Sequence, residues 1–267
     1  MSCICRAFTE TPSGGLQAGG SCIESHDTIT GGLSAGGSAR VEIAGDVYDG
    51  FEAMYPLDEI GAGVTDEYED LAGHELHGTG QQAPNYPERE TGVYCLYCQN
   101  FNGDSLIRAP VDTMTNQPFS ISHWSKIDDE WNAGVFLERG TSTRATRISY
   151  SIIRHLFFEV YHDDSSTITN STTLQRDAFY HIAVEYDGSN ITIYINGVQD
   201  GQLETTEDIV SPTEYNQFGK IGCYGTMQEL RIYPEAKGIN WFLTEWRNFC
   251  QAGFVEEGEY EVSPIYS

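Results

Sequence analysis

The stretch YHIAVEYDGSNITIYINGV at residues 180–198 leaves this chain little choice of local structure. Tyr180, Ile182, Val184 and Tyr186 alternate with other residues, and Ile191, Ile193 and Ile195 do the same after a break. A period of two puts each set on one face of an extended strand; a helix would need apolar residues every three or four positions. Asp187-Gly188 with Ser189-Asn190 supplies the reversal. Asn196-Gly197 closes the second strand, and both residues tolerate the positive φ that a tight hairpin requires.

Short apolar runs bounded by turn residues recur at 47–55, 97–101, 106–109, 119–125, 134–138, 147–152, 156–162, 216–221 and 227–233. The pattern predicts an all-β fold, a sandwich or a jelly roll. One short C-terminal helix is expected, opened by Pro234, with Ile239, Phe242, Leu243 and Trp246 as its apolar stripe. Hydrophobic residues make up 39% of the 267 and Phe, Trp and Tyr 12%, enough to build a core and to exclude disorder throughout.

Charge narrows the function. Forty acidic side chains against 14 basic ones give a net charge of -26. Such a surface repels a phosphate backbone and an anionic bilayer, so no nucleic acid is expected as a partner. The best apolar run, 148–160, is broken by Arg154, His155 and Glu159 and falls short of the roughly 20 residues that span a bilayer, so no membrane insertion is expected. The opening Met-Ser-Cys-Ile-Cys-Arg has neither a basic start nor an apolar stretch, and predicts no signal peptide in this chain.

Residues 1–45 have a different composition from residues 46–267. SGGLQAGGS and TGGLSAGGS repeat at an offset of 17, matching Leu16 to Leu33. Two such copies bury no hydrophobic face alone. The segment reads either as a flexible linker or as an arm whose short extended pieces add to a neighbour's sheet edge. Cys3, Cys5 and Cys22 favour the arm, since a spacer has little need of three thiols. The chain holds seven cysteines, an odd number, so at least one stays unpaired within the chain.

The order of these pieces resembles laminin G-like domains of the concanavalin A-like lectin/glucanase superfamily. The hairpin at 180–198 is similar to that family's signature hairpin. MYPLDE resembles its first core strand, DLAGHELHGTG its glycine turn, FNGDSLIRAP and FSISHWSK its next two elements, and GTMQELRIYPEAKGINWFLTEW its closing strand and short helix. The resemblance covers roughly residues 46–250 and implies the two-sheet jelly roll. It also implies a disulfide between Cys223 and Cys250, which would tie the last strand to the C-terminus. Gln228 stands where many relatives carry an aspartate, which weakens a calcium site built on that carboxylate.

Several clusters suggest chemistry. His74-Glu75-Leu76-His77 has histidines at i and i+3 in a glycine-flanked turn, not at the i and i+4 of a helical zinc motif. Cys95-x-x-Cys98 has no second pair to complete a zinc site. A disulfide, for instance to the arm cysteines, or simple buried thiols are expected there. Loop carboxylates Asp128, Asp129, Asp163 and Asp164 suit calcium, the one cofactor considered, or else merely solubilise the surface. No strand carries the alternating carboxylates of a glucanase on this scaffold, so no catalysis is expected. Trp131 and Tyr161, beside acidic loops, are candidate contacts to a glycan or protein partner, while Trp124, Trp241 and Trp246 are expected in the core. The sequence therefore points to a non-enzymatic structural or adhesive subunit, extracellular or virion-associated. Its arm would mediate self-association or contact with other structural subunits. A carbohydrate-binding lectin-like module is the alternative, and a glycoside hydrolase the third reading.

Overall fold

The computed structural model describes residues 32–33, 39–40, 50–81, 86–93, 97–110, 117–128, 133–140, 143–161, 166–170, 172–205, 209–220 and 222–250. Strands β1 (Gly32–Leu33) and β2 (Ala39–Arg40) pair only with each other. The domain then runs through β3 (Ala53–Tyr55), β4 (Thr79–Gly80), β5 (Glu88–Thr91), β6 (Tyr97–Asn102), β7 (Ile107–Pro110), β8 (Phe119–Ile127), β9 (Gly134–Arg139) and β10 (Thr146–Tyr150). It continues through β11 (Leu156–Val160), β12 (Ser166–Thr169), β13 (Phe179–Tyr186), β14 (Asn190–Ile195), β15 (Val198–Glu204), β16 (Tyr215–Lys220) and β17 (Tyr224–Tyr233), and closes with α1 (Ile239–Cys250). One sheet has the order β12-β11-β10-β9-β16-β7-β4 and the other β15-β14-β13-β8-β17-β6-β5, with β3 on β17. These strands pair antiparallel, giving the sandwich that the alternation predicts.

The register explains the core. In the seven-stranded sheet, Ile107, Phe218, Leu137, Ile148, Phe158 and Ile168 are direct partners in turn, and all are buried. The facing sheet answers with Ile193, Val184, Ile121, Ile232 and Ala53. The β13–β14 hairpin has the expected register, with Ile182, Val184 and Tyr186 against Ile195, Ile193 and Ile191. Its reversal is held by the Asp187 carboxylate, which accepts the Ser189 and Asn190 amides at 2.8 and 2.7 Å. Burial works against that charge, but the Asn190 and Ser189 donors win and keep the carboxyl below its ordinary range.

Not every inward position is apolar. His123 pairs with Ile182 in the core row, lies 2.6 Å from Ser125 Oγ, and packs its ring 5.4 Å from that of Phe136. Its Nε2 has no hydrogen-bond partner. Burial first, and then the nearby His181, press its pKa down to about 3.

Helix α1 lies on the outer face of the eight-stranded sheet, where Phe242 packs on Ala183 and Tyr194. Beneath it Glu245 accepts from Arg231 Nη1 at 3.0 Å, lies 3.2 Å from His181 Nε2, and accepts from the Tyr233 hydroxyl. Burial alone would raise this carboxyl, but the His181 hydrogen bond and the Arg231 charge hold it at about 2. A second buried ion pair, Arg139 with Glu52, bridges β9 to the segment entering β3. No helix among the described residues is long and apolar enough to cross a membrane.

Several expectations need correction. The helix begins at Ile239, five residues after Pro234, because Gly238 takes φ 74° and turns the chain first. Trp241 is 43% exposed rather than in the core, since the buried stripe is set by Phe242 and Glu245 one position on. Strands β4, β5, β12 and β15 carry little apolar alternation and were not foreseen. The Cys223–Cys250 disulfide is not formed: Cys223 is a free thiol. It sits in the layer between the sheets, whereas the helix carrying Cys250 lies on the opposite face of the eight-stranded sheet. Cys98 is likewise a free buried thiol, its pKa pushed up to about 12 by burial and the Glu90 charge.

Two outcomes are expected. Gly197 has φ 73° and a Cβ there would stand 2.5 Å from Leu243 Cα, so Gly197→Ala should cost about 2–4 kcal/mol in urea unfolding through strain and displaced helix. Because His123 is held neutral, the unfolded chain binds more protons between its ordinary pKa of about 6.5 and the folded value of about 3. Its contribution is complete above that ordinary value and is lost as pH falls through the window. Melting temperatures of His123→Gln across that range should fall less steeply than those of the wild type.

Candidate functional site

The outward face of the seven-stranded sheet carries one unbroken polar row: Thr79, Arg108, Gln217, Glu138, Arg147 and Glu159, each the register partner of the next. Most of its charges are neutralised in place. Glu138 meets Arg144 at 2.8 Å, and Arg147 meets Glu159 at 3.6 Å. At the β4 end the row runs into a cleft of about 560 Å³ lined by Asp66, His77, Thr79, Gln81, Arg108 and Tyr215, with Gly80, Leu106 and Pro110 completing its wall.

The loop between β3 and β4 builds one side of this cleft around two buried or half-buried carboxylates. Glu67 accepts the amides of Ala62, Gly63, Val64 and Gly80 at 2.8–3.2 Å. A Cβ on Gly80 would stand 2.4 Å from Glu67 Oε1, so a side chain there would push aside the carboxylate that closes the loop. Asp70 accepts the amides of Met54, Ala72 and Leu76, and its own amide donates to His77 Nδ1 at 3.0 Å. A neutral His77 whose Nδ1 accepts must carry its proton on Nε2. The imidazole is thereby fixed as a donor at the cleft wall. Thr79 Oγ1 accepts the Asp66 amide at 3.0 Å, which leaves its own proton free to donate.

The other side comes from β7 and β16. Ile107 and Ala109 point into the core, so Arg108 and Pro110 face outward. Tyr215 is the register partner of Pro110 and is 46% exposed. The cleft thus offers an exposed aromatic face, a guanidinium, an imidazole N–H, a hydroxyl, an amide and one carboxylate. Such a set can stack on a sugar ring and hydrogen-bond its hydroxyls. Gln81 Oε1, at the same wall, has no hydrogen-bond partner.

The residues singled out from the sequence lie elsewhere. Tyr161 is half-buried at the far end of the same sheet; Arg144 stands over its ring at 5.2 Å and donates to its hydroxyl at 3.3 Å, covering one face. Asp128 is 3.4 Å from Lys126. It sits by Tyr224 and Tyr150 at one end of the strands. Tyr161 and Ser166, which bracket Asp163 and Asp164, stand at the Ala145 and Val160 end. The structure therefore does not bring the flanks of the two acidic loops together. Trp131, Asp129, Asp163, Asp164, Cys3, Cys5, Cys22 and Leu16 lie outside the described residues, and of Leu33 only its place in β1 is described. No group of three His, Cys, Asp or Glu side chains among the described residues is arranged to hold a metal. Gln228, in the place of the missing aspartate, is buried and accepts the Val93 amide at 2.8 Å.

The cleft was missed because Arg108 and Gln217 are 109 positions apart and nothing local says that β7 and β16 are neighbours. The weak signal present was the acidic run 66–70, where Glu67 and Asp70 prove to be loop fasteners rather than a solvated face.

No curated protein matches the chain. Among solved structures, the binding domain of Paraclostridial Mosquitocidal Protein 1 superposes with TM-score 0.63 at 14% identity, covering 76% of this chain and 53% of that one. The structure described as "Cell entry of botulinum neurotoxin type C is dependent upon interaction with two ganglioside molecules" superposes with TM-score 0.59 at 12% identity, covering 76% and 52%. The botulinum neurotoxin DC binding domain in complex with SialylT gives 0.60 at 11%, covering 76% and 52%. The chain spans about half the length of these structures, and the likeness is one of fold. The Laminin_G_3 model, described as concanavalin A-like lectin/glucanases superfamily, matches residues 101–238, just over half of the sequence. The hairpin, the facing sheets and that match agree: the chain belongs to the laminin G-like family of the concanavalin A-like lectin/glucanases superfamily.

Proposed function

We propose that the domain is a non-catalytic, lectin-like adhesive module that works outside the cell and holds a glycan in the β4–β7–β16 cleft. The observation that carries this reading is the exposed ring of Tyr215 set against the fixed donors of His77 and Thr79 in one open cleft. Sugar rings offer apolar faces ringed by hydroxyls, and an aromatic platform with planar polar neighbours meets both. Support for a binding role also comes from the structural neighbours, whose descriptions name gangliosides, SialylT and synaptotagmin as what those proteins bind. The carboxylates Glu138, which is buried, and Glu159 on the outward side of the sheet are each paired with an arginine, which suits a binding module better than a pair of acids poised for hydrolysis. A glycan array followed by titration calorimetry tests the reading. Tyr215→Ala should lower affinity roughly tenfold or more with an unchanged melting temperature. An array without any saccharide ligand would sink it.

A second reading is an assembly subunit of a particle or fibre, gripping its neighbours through residues 1–45. It is favoured by the pairing of β1 with β2 outside both sheets of the sandwich. Cys98 and Cys223, as free thiols, lend no support to an oxidising compartment. Light scattering of the full chain decides: an oligomer is expected on this reading, and a concentration-independent monomer rules it out.

A further inference from the structure

We infer that the saccharide held in the cleft carries a carboxylate, and that Arg108 is the group that binds it. The inference rests on the cleft being the glycan site and adds the chemical class of the ligand.

Arg108 is anomalous within its own row. Glu138, Arg147 and Glu159 each face an opposite charge, yet no hydrogen bond or ion pair engages the exposed Arg108 guanidinium among the described residues. Its register partners are Thr79 and Gln217, both uncharged. In a chain with 40 acids and 14 bases, a base left unpaired at a cleft is available for an anion from outside. A guanidinium presents a planar fork of donors that matches a carboxylate with two parallel hydrogen bonds.

Position fits the ring as well as the charge. Tyr215 is the partner of Pro110, two residues along β7 from Arg108, so the two side chains are diagonal neighbours about 7–8 Å apart at their Cα atoms on one face. A pyranose stacked on Tyr215 therefore presents a substituent at its rim to the guanidinium, while His77 and Thr79 donate from the opposite wall. Among the described residues Asp66 is the only acid lining the cleft, and it can accept a hydroxyl of the same sugar.

The charge of the whole molecule sets the number of anionic groups. A net charge of -26 repels a sulfated polymer over a Debye length, whereas one carboxylate meets a short-range contact that salt screens weakly. The geometry selects a saccharide bearing a single carboxylate, of the uronic or sialic acid kind, over neutral sugars and polyanions.

Titration of the full chain with sialyllactose, a glucuronic acid disaccharide, lactose and heparin tests this. At least one of the two carboxylated sugars should bind about tenfold or more tightly than lactose. Arg108→Gln should bring that ratio close to one, and Arg108→Lys should restore only part of it. Raising salt from about 0.02 to 0.3 M should leave affinity unchanged or raise it, because the dominant long-range field is repulsive. Equal binding of lactose and the carboxylated sugars, or a ratio unmoved by Arg108→Gln, overturns the inference and leaves the glycan reading intact. Tighter binding of heparin overturns the choice of a single carboxylate. Absence of binding by all four, with an empty array, overturns the glycan reading itself.

Discussion

Strand pairing imposes a period of two on every paired segment, and the rest of this molecule follows from that constraint. Side chains from six strands fall into one row, from Ile107 to Ile168, which can be buried only if a second sheet supplies a matching row. The same alternation must then deliver a polar row to the opposite face, from Thr79 to Glu159. Core and candidate site are two sides of one register. A slip of a single residue would send Arg108 inward and Ile107 into the cleft.

The eight-stranded sheet solves its outer face differently. There α1 covers the centre, with Phe242 supplying the apolar contact and Glu245 gathering donors from β13 and β17. One carboxylate thus fastens a helix to two strands. The arrangement leaves the eight-stranded sheet closed over α1 and the β4 end of the seven-stranded sheet open. That asymmetry leaves the polar row of the seven-stranded sheet accessible at the cleft.

Much of the fold was legible in the sequence. The alternating isoleucines at 191, 193 and 195 and the Asp187–Asn190 reversal predict the β13–β14 hairpin, whose register is the one observed. Strands with both faces covered or weak alternation, such as β15 with Val198 exposed, left no such trace. The helix was visible as a stripe, but its start was not. Gly238, not Pro234, makes the turn, and Glu245 rather than a further apolar residue faces the sheet. The inferred disulfide failed for a similar reason: Cys223 and Cys250 are close in sequence, yet the chain between them carries the second to the other side of a sheet.

By itself the sequence determined the strand period, the hairpin turns, the acidic surface and the membership of a two-sheet fold. Each of these is a property of a short window or of composition. Tertiary structure alone decided that residues 66–81 fold back on Glu67 and Asp70, that β7 lies beside β16, and that Arg108, Tyr215 and His77 line one cleft. Those residues are separated by up to 138 positions, and contact over such distances is set by sheet order. Sheet order depends on which apolar rows pack best together, a quantity that no local pattern encodes.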